Sequence, residues 1–156
     1  MIRRRGAGLV LASVALCGCA DARIRGYPPL ERMQSNPLIP RGMATTIGSV
    51  VFVKDVGQWE RSHPEPFRDA VLAHEQVHSV RQRAAGLGAW LSRYLVDTDF
   101  ALHEEALGWA VWVKTLRAAG LRVDLDSVAG TLAAYPTVRG SKRRALKALK
   151  SALQGQ

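Results

Sequence analysis

Apolar and polar residues recur at helical spacing over much of the second half of the chain. No glycine or later proline interrupts the segment from about residue 66 to residue 85, so it predicts a long helix with a proline in its first turn. A second long helix is predicted from about residue 100 to residue 119, because an aspartate or threonine at 97 to 99 offers an N-cap and Gly120 ends it. These are the two main helices of the predicted fold.

Shorter elements are predicted around these helices. Residues 45–53 are mostly β-branched or aromatic, which favours one strand, or two very short strands broken at Gly48. Residues 55–59 are predicted as a turn, residues 89–96 as a short helix that lines the site, and residues 126–135 as a helix capped by Asp126 or Ser127. The tryptophans at 90, 109 and 112 are predicted to lie in the core. The whole pattern predicts an α+β fold that is mostly α.

The N-terminus has the pattern of an export signal. Three arginines at positions 3 to 5 precede an apolar run from 6 to 16, which is too short to span a membrane. The sequence Leu16-Cys17-Gly18-Cys19 that follows resembles the bacterial lipobox. This resemblance implies cleavage after Gly18 and lipidation of Cys19, and Ala20 after the cysteine resembles sorting to the outer membrane. The alternative is a plain signal peptide with a leftover cysteine.

The cysteine content limits the chemistry of the mature chain. Cys17 is removed with the signal and Cys19 becomes the anchor, so no free thiol remains among the residues that follow. A disulfide framework, a thiolate zinc site and a cysteine nucleophile are therefore excluded. Any metal must be bound by histidines and carboxylates.

The net charge of +9 is carried by the two ends of the chain. Three of the 22 basic residues lie in the signal and six lie between residues 139 and 150, and the other 13 equal the acidic residues in number. The central part of the chain is therefore neutral. Because the chain is predicted to be exported and its excess charge lies in a tail, we expect no nucleic acid partner.

Four regions are predicted along the chain. They are a lipoprotein signal peptide at 1–18, a proline-containing tether at 19–44, a domain at 45–136 and a basic amphipathic C-terminal helix at 137–156. In the last region Leu146, Leu149 and Leu153 share one side, and most lysines and arginines lie on the other. Such a helix either lies on an anionic membrane surface or packs its leucines on the domain.

Two of the four histidines frame a glutamate in His74-Glu75-Gln76-Val77-His78, an H-E-x-x-H sequence inside the first long helix. Residues four apart share a helix face, so His74 and His78 direct two imidazoles to one point. Zinc binds such nitrogens at about 2 Å in a tetrahedral shell. Glu75 is placed to take a proton from water instead of binding the metal. The pattern predicts a zinc site, and the alternative is an amphipathic helix with packed or solvated histidines.

A catalytic zinc site commonly has three protein ligands, so a third ligand is expected. The second long helix offers two carboxylates near its start, in His103-Glu104-Glu105-Ala106. Together with the H-E-x-x-H helix, this arrangement resembles the gluzincin branch of zinc metallopeptidases, in which the third ligand is a glutamate on a later helix, often followed by Ala or Gly. The resemblance covers about residues 66–110 and implies Glu105 as the ligand, with Glu104 as the alternative. His103 is not expected to replace them.

The helical pattern also supports Glu105. It shares a face with the apolar residues Trp109, Ala110 and Val113, so it is predicted to point inward. In gluzincins the position four residues after the third ligand is commonly an acid that orients a histidine, and here that position is Trp109. The metzincin branch is not matched, because Arg81 stands where that branch has glycine.

The resemblance implies a zincin-like core in which the two main helices carry a Zn²⁺ site, preceded by a short strand or hairpin. It further implies hydrolysis of peptide bonds in an envelope peptide or protein, with Glu75 as the general base. Tyr94, His103 and Tyr135 are the candidates for the donor that stabilises the oxyanion.

The predicted function is a lipid-anchored zinc metallopeptidase at the periplasmic face of the outer membrane, held there through Cys19 and also through the basic tail if that tail lies on the membrane. One alternative is a non-catalytic envelope lipoprotein that uses a zincin-like fold for binding or assembly. Another is a helical interaction domain without zinc.

Overall fold

The computed structural model describes residue 30 and residues 32–155. The predicted signal peptide, Cys19 and the first part of the predicted tether lie outside the described residues. The fold is α+β and mostly α, as predicted. Its strands are β1 (Arg32–Ser35), β2 (Ala44–Ile47) and β3 (Val50–Val53). Its helices are α1 (Val56–Ser62), α2 (Phe67–Ala85), α3 (Leu87–Val96), α4 (Thr98–Ala118), α5 (Leu125–Ala133) and α6 (Lys142–Gln154).

The three strands form one small sheet in the order β1-β3-β2. β2 and β3 are an antiparallel hairpin whose turn contains Gly48 at a φ of +63°, a conformation that glycine adopts without strain. Of the two alternatives expected for residues 45–53, one strand or two very short strands broken at Gly48, the structure has the second. β1 pairs in parallel with β3 and lies inside the segment predicted as a tether, so part of that segment belongs to the folded domain.

The turn predicted at residues 55–59 is wrong, because helix α1 occupies this position. The Asp55 side chain accepts a hydrogen bond from the Gln58 backbone N–H and so caps the helix, as an aspartate at an N-cap does. Trp59 is 3 % exposed and belongs to the same buried cluster as Val51 and Val53 of the sheet. Burial of this one large side chain stabilises a helix that is too short to form alone.

The two main helices have nearly the predicted bounds. α2 ends at Ala85 because Gly86 has a φ of +84°, which lets the chain turn directly into α3. α4 begins after Asp97, whose side chain accepts hydrogen bonds from the backbone N–H groups of Asp99 and Phe100. The helix predicted at residues 126–135 is α5, and it is capped by Asp124 and not by Asp126 or Ser127.

The C-terminal helix α6 packs against α4 and α5. Ala145 and Leu149 are fully buried, while all five lysines and arginines of the helix are exposed. Of the two arrangements expected for this helix, the structure has the one in which the apolar side packs on the domain. Among the described residues, no helix has both the length and the apolar character needed to cross a membrane.

Two buried glutamines attach α2 to the sheet side of the molecule. The Gln82 amide donates to the backbone oxygen of Thr46 at 2.9 Å and accepts from the backbone N–H of Gly48 at 2.8 Å. Gln76 accepts from the backbone N–H of Leu30 at 3.1 Å. These bonds satisfy buried polar groups at the hairpin and fix the rotation of α2 relative to β2.

An ion pair connects α2 to α4. Glu104 is fully buried, and its two carboxylate oxygens accept from Nε and Nη2 of Arg81 at 2.5 Å each. The indole N–H of Trp90, on α3, donates to the same carboxylate at 3.1 Å. Three helices are thus joined at one buried acid, and such paired, bidentate contacts fix geometry as well as charge.

Loss of this charge should destabilise the fold. We expect Glu104→Gln to lower the free energy of unfolding by about 3 kcal/mol, at the low end for a broken buried pair, because Arg81 is 38 % exposed and keeps some hydration. Urea unfolding of the metal-free protein measures this effect. The matched control is Asp126→Asn, which breaks the exposed pair with Lys142 and should change stability by less than about 1 kcal/mol. Equal effects of the two substitutions would contradict the role assigned to Glu104.

Candidate metal centre

Three buried side chains from the two main helices converge. His74 and His78 lie one turn apart on α2, and Glu105 faces them from α4. The Nε2 atoms of the two histidines are 3.0 Å apart. The Glu105 oxygens lie 3.5 Å from Nε2 of His74 and 3.4 Å from Nε2 of His78. The structure therefore brings together the three residues predicted as metal ligands, in a group that can hold a metal ion.

The separations within this group suit a tetrahedral ion. Ligand atoms bound to zinc at about 2.0–2.1 Å stand about 3.3 Å from one another in a tetrahedron. The two Nε2 atoms are 3.0 Å apart, and each of them lies 3.4–3.5 Å from a different oxygen of Glu105, so these distances lie on both sides of that value. Two imidazoles and one carboxylate are also a donor set used by zinc sites that keep a fourth position open. The residues present therefore fit the group that the sequence predicts.

The protonation of the cluster is set by its mutual contacts. Burial opposes the charged form of His78, but the adjacent Glu105 carboxylate outweighs it and raises the pKa of His78 to about 8. Burial also opposes the charged form of Glu105, and the two histidines nevertheless hold the pKa of Glu105 well below its usual range. Metal binding at this cluster would therefore compete with protonation of His78.

The other candidates for the third ligand lie elsewhere. Glu104 is one residue from Glu105, but both of its oxygens are engaged by Arg81 and Trp90. His103 is exposed and lines a groove between α4 and α6, together with Leu107. It is therefore not among the residues gathered at the cluster, which leaves Glu105 as the acid that faces the histidines.

The candidate general base is held by the sheet. Glu75 is 5 % exposed, and its Oε2 accepts a hydrogen bond of 2.7 Å from the Thr46 hydroxyl on β2. Its negative charge contributes to the raised pKa of His78, so the carboxylate lies within electrostatic reach of the cluster. One oxygen of Glu75 is thus tied to β2, at the edge of the three-stranded sheet.

Ring contacts and a glycine hold the imidazoles in place. The His74 ring meets Trp109 edge-on at 5.3 Å between centroids, and the His78 ring meets Trp90 at 5.7 Å. A Cβ atom at Gly108 would lie 2.9 Å from three atoms of the His74 ring. The backbone of α4 therefore approaches that ring so closely that a side chain at position 108 would displace it. Where gluzincins commonly place an acid, Trp109 contacts His74 through its ring.

Both tyrosines in the described part of the chain, Tyr94 and Tyr135, are within electrostatic reach of Glu105. The Tyr94 hydroxyl donates to Oε1 of Glu105 at 2.5 Å. Burial and the Glu105 charge raise the pKa of Tyr94 far above its usual range, so the phenol stays protonated. Burial and the charges of Glu105 and Glu75 likewise raise the pKa of Tyr135. Of the three expected oxyanion donors, Tyr94 is thus hydrogen-bonded to Glu105, and Tyr135 lies within electrostatic reach of Glu105 and Glu75. His103 lines the groove between α4 and α6 instead.

Sequence reasoning missed several residues that shape this site. Gly108 did carry a signal, because an isolated glycine inside a helical pattern commonly has a packing reason. Thr46 carried none, since a threonine in a strand is ordinary. Trp90 and Trp109 were assigned to the core, which is correct for Trp90 at 4 % exposure but leaves out their contacts with the histidines.

Comparison of the chain with models of protein families, with curated proteins and with solved structures found no match.

The ligand assignment predicts one bound zinc per chain after dialysis, measured by elemental mass spectrometry. Glu105→Ala removes one of three protein ligands, so we expect the Kd for zinc to rise roughly 100-fold or more, since loss of a residue that merely supports a ligand already raises it 10–100-fold. His103→Ala is the control, because it removes an exposed histidine from the same helix. Equal zinc retention by both variants would contradict the assignment.

The glycine contact gives a second prediction. Gly108→Ala should displace the His74 ring and raise the Kd for zinc roughly 10-fold or more, although alanine favours the helix. Gly130→Ala is the matched control, because its new Cβ would meet only the end of the Lys142 side chain at 4.0 Å. Titration of both variants with zinc in the presence of a chromogenic chelator measures the difference. An unchanged Kd for Gly108→Ala would show that the close approach to His74 has no role in metal binding.

Proposed function

We propose that this chain is a zinc metallopeptidase of the gluzincin type that hydrolyses peptide bonds in the cell envelope. The observation that carries the proposal is the buried cluster of His74, His78 and Glu105, whose ligand atoms lie within 4.8 Å of one another. Burial of ionisable groups destabilises a fold unless each group has a partner or a ligand. A cluster of this kind is therefore characteristic of a site retained for its chemistry.

The chemistry follows from the donor set and from Glu75. A zinc ion held by these three residues would polarise a carbonyl oxygen and lower the pKa of a water molecule to about 7. Glu75 takes a proton from the attacking water and passes it to the leaving amine. Because Thr46 holds Oε2 of Glu75, Oε1 is the oxygen that we assign to this proton transfer.

The same proposal includes the place of action. Leu16-Cys17-Gly18-Cys19 supports lipidation of Cys19, and Ala20 supports retention at the periplasmic face of the outer membrane. Ten residues then separate Cys19 from Leu30, whose backbone N–H donates a hydrogen bond to Gln76 of α2. A fully extended segment of that length spans about 35 Å. The substrates that we propose are therefore peptides or proteins close to the membrane surface.

The alternative is a non-catalytic envelope lipoprotein that keeps the metal cluster for binding or assembly. Both functions require zinc at His74, His78 and Glu105, so metal content alone does not separate them. The role of Glu75 does, because a structural metal site needs no adjacent general base.

The test compares Glu75→Gln with the wild-type protein on a denatured, fluorescently labelled protein substrate. We expect zinc to be retained and kcat to fall by about 10²–10⁴-fold, the usual contribution of a general base. Glu65→Gln is the control, because it neutralises an exposed acid just before the same helix. A zinc-loaded wild-type protein without hydrolysis would favour the binding function, and full activity in Glu75→Gln would exclude Glu75 as the base.

A further inference from the structure

Glu105 has two oxygens in different surroundings. Oε1 accepts the 2.5 Å hydrogen bond from the Tyr94 hydroxyl. Oε2 is buried, has no hydrogen-bond partner among the described residues, and lies 3.5 Å from Nε2 of His74. An ionised carboxylate only accepts hydrogen bonds, so the Tyr94 phenol is the donor in this contact. One oxygen is thus occupied by the protein, and the other is left for a different partner.

The position of Tyr94 is fixed by residues outside the cluster. Its ring stacks on Trp90 with centroids 4.6 Å apart and an interplanar angle of 13°. The Trp90 indole N–H in turn donates to the buried Glu104 carboxylate, which is paired with Arg81. Trp90, Glu104 and Arg81, which belong to α3, α4 and α2, therefore fix the position from which the Tyr94 hydroxyl bonds to Glu105.

This arrangement matters because a carboxylate can bind a cation through one oxygen or through both. Oε1 is only 3.4 Å from Nε2 of His78, so Glu105 has both oxygens on the side of the histidines. A charge-assisted hydrogen bond to Oε1 withdraws electron density from it and restrains rotation of the carboxylate. No other hydrogen bond to the Glu105 carboxylate is formed among the described residues, so without the Tyr94 bond either oxygen could bind a cation.

We propose that Tyr94 is a positioning residue for the metal site, and that it makes Glu105 a one-oxygen ligand through Oε2. The inference rests on the metal-binding part of the proposed function and adds a coordination mode to it. Tyr94 acts through Glu105 and is not itself a metal ligand. It keeps the ligand number at three from the protein, so that the fourth position of a tetrahedral ion stays open.

The test uses Co²⁺ in place of zinc, because the visible absorption of Co²⁺ is intense when it is four-coordinate and weak when more ligands bind. We expect the wild-type protein to give the intense four-coordinate spectrum. Tyr94→Phe keeps the ring that stacks on Trp90 and removes only the hydroxyl. We expect it to give weaker bands, from two-oxygen binding by Glu105, and a Kd for Co²⁺ raised roughly 10-fold.

The matched control is Thr115→Val, which removes a buried hydroxyl of α4 that donates to the backbone oxygen of Val111 and should leave the spectrum unchanged. Far-UV circular dichroism verifies that each variant is folded. Identical spectra and Kd values for wild type and Tyr94→Phe would overturn the inference about Tyr94 and leave the metal site intact. A wild-type protein that binds no Co²⁺ would overturn the metal site itself, and the inference with it.

Discussion

The close approach of α4 to α2 is the constraint on which the rest of the structure depends. Gly108 brings the α4 backbone against the His74 ring, and three residues earlier the same helix directs Glu105 at both histidines. A side chain at position 108 would clash with the His74 ring at the point where Glu105 faces the two histidines. Since ligand separations must stay near 3.3 Å for a tetrahedral ion, this contact affects how well the three side chains can hold one.

Buried polar contacts join α2 to its neighbours in the fold. Glu104 joins α4 to Arg81 of α2, and Gln82 and Thr46 join α2 to the edge strand β2. Burial of charges and amides lowers the stability of the fold unless they are paired. Each of these bonds therefore also favours one relative orientation of the two elements that it joins. Within the cluster, Nδ1 of His78 and Oε2 of Glu105 are buried and have no hydrogen-bond partner among the described residues. A bound metal ion would satisfy that oxygen and would couple metal affinity to folding stability.

Much of this arrangement follows from local patterns in the sequence, and some of it does not. The bounds of α2 and α4 could be predicted because caps and glycines act locally, and Glu105 could be chosen because helix periodicity decides which side chains face inward. β1 and α1 were missed because a parallel strand pairing and the burial of Trp59 depend on distant residues. The Thr46–Glu75 and Tyr94–Glu105 bonds join different elements, and no spacing along the chain encodes them. The three residues of the cluster were therefore predictable from the sequence, and the residues that hold them in place were not.

X-ray absorption at the zinc K-edge of the zinc-loaded protein tests the central claim most directly. If His74, His78 and Glu105 bind the ion, we expect a four-coordinate shell of nitrogen and oxygen at about 2.0–2.1 Å, with the outer-shell scattering of two imidazoles. A sulfur shell at about 2.3 Å, or a spectrum without imidazole scattering, would contradict it, because either result would place the ion away from His74, His78 and Glu105.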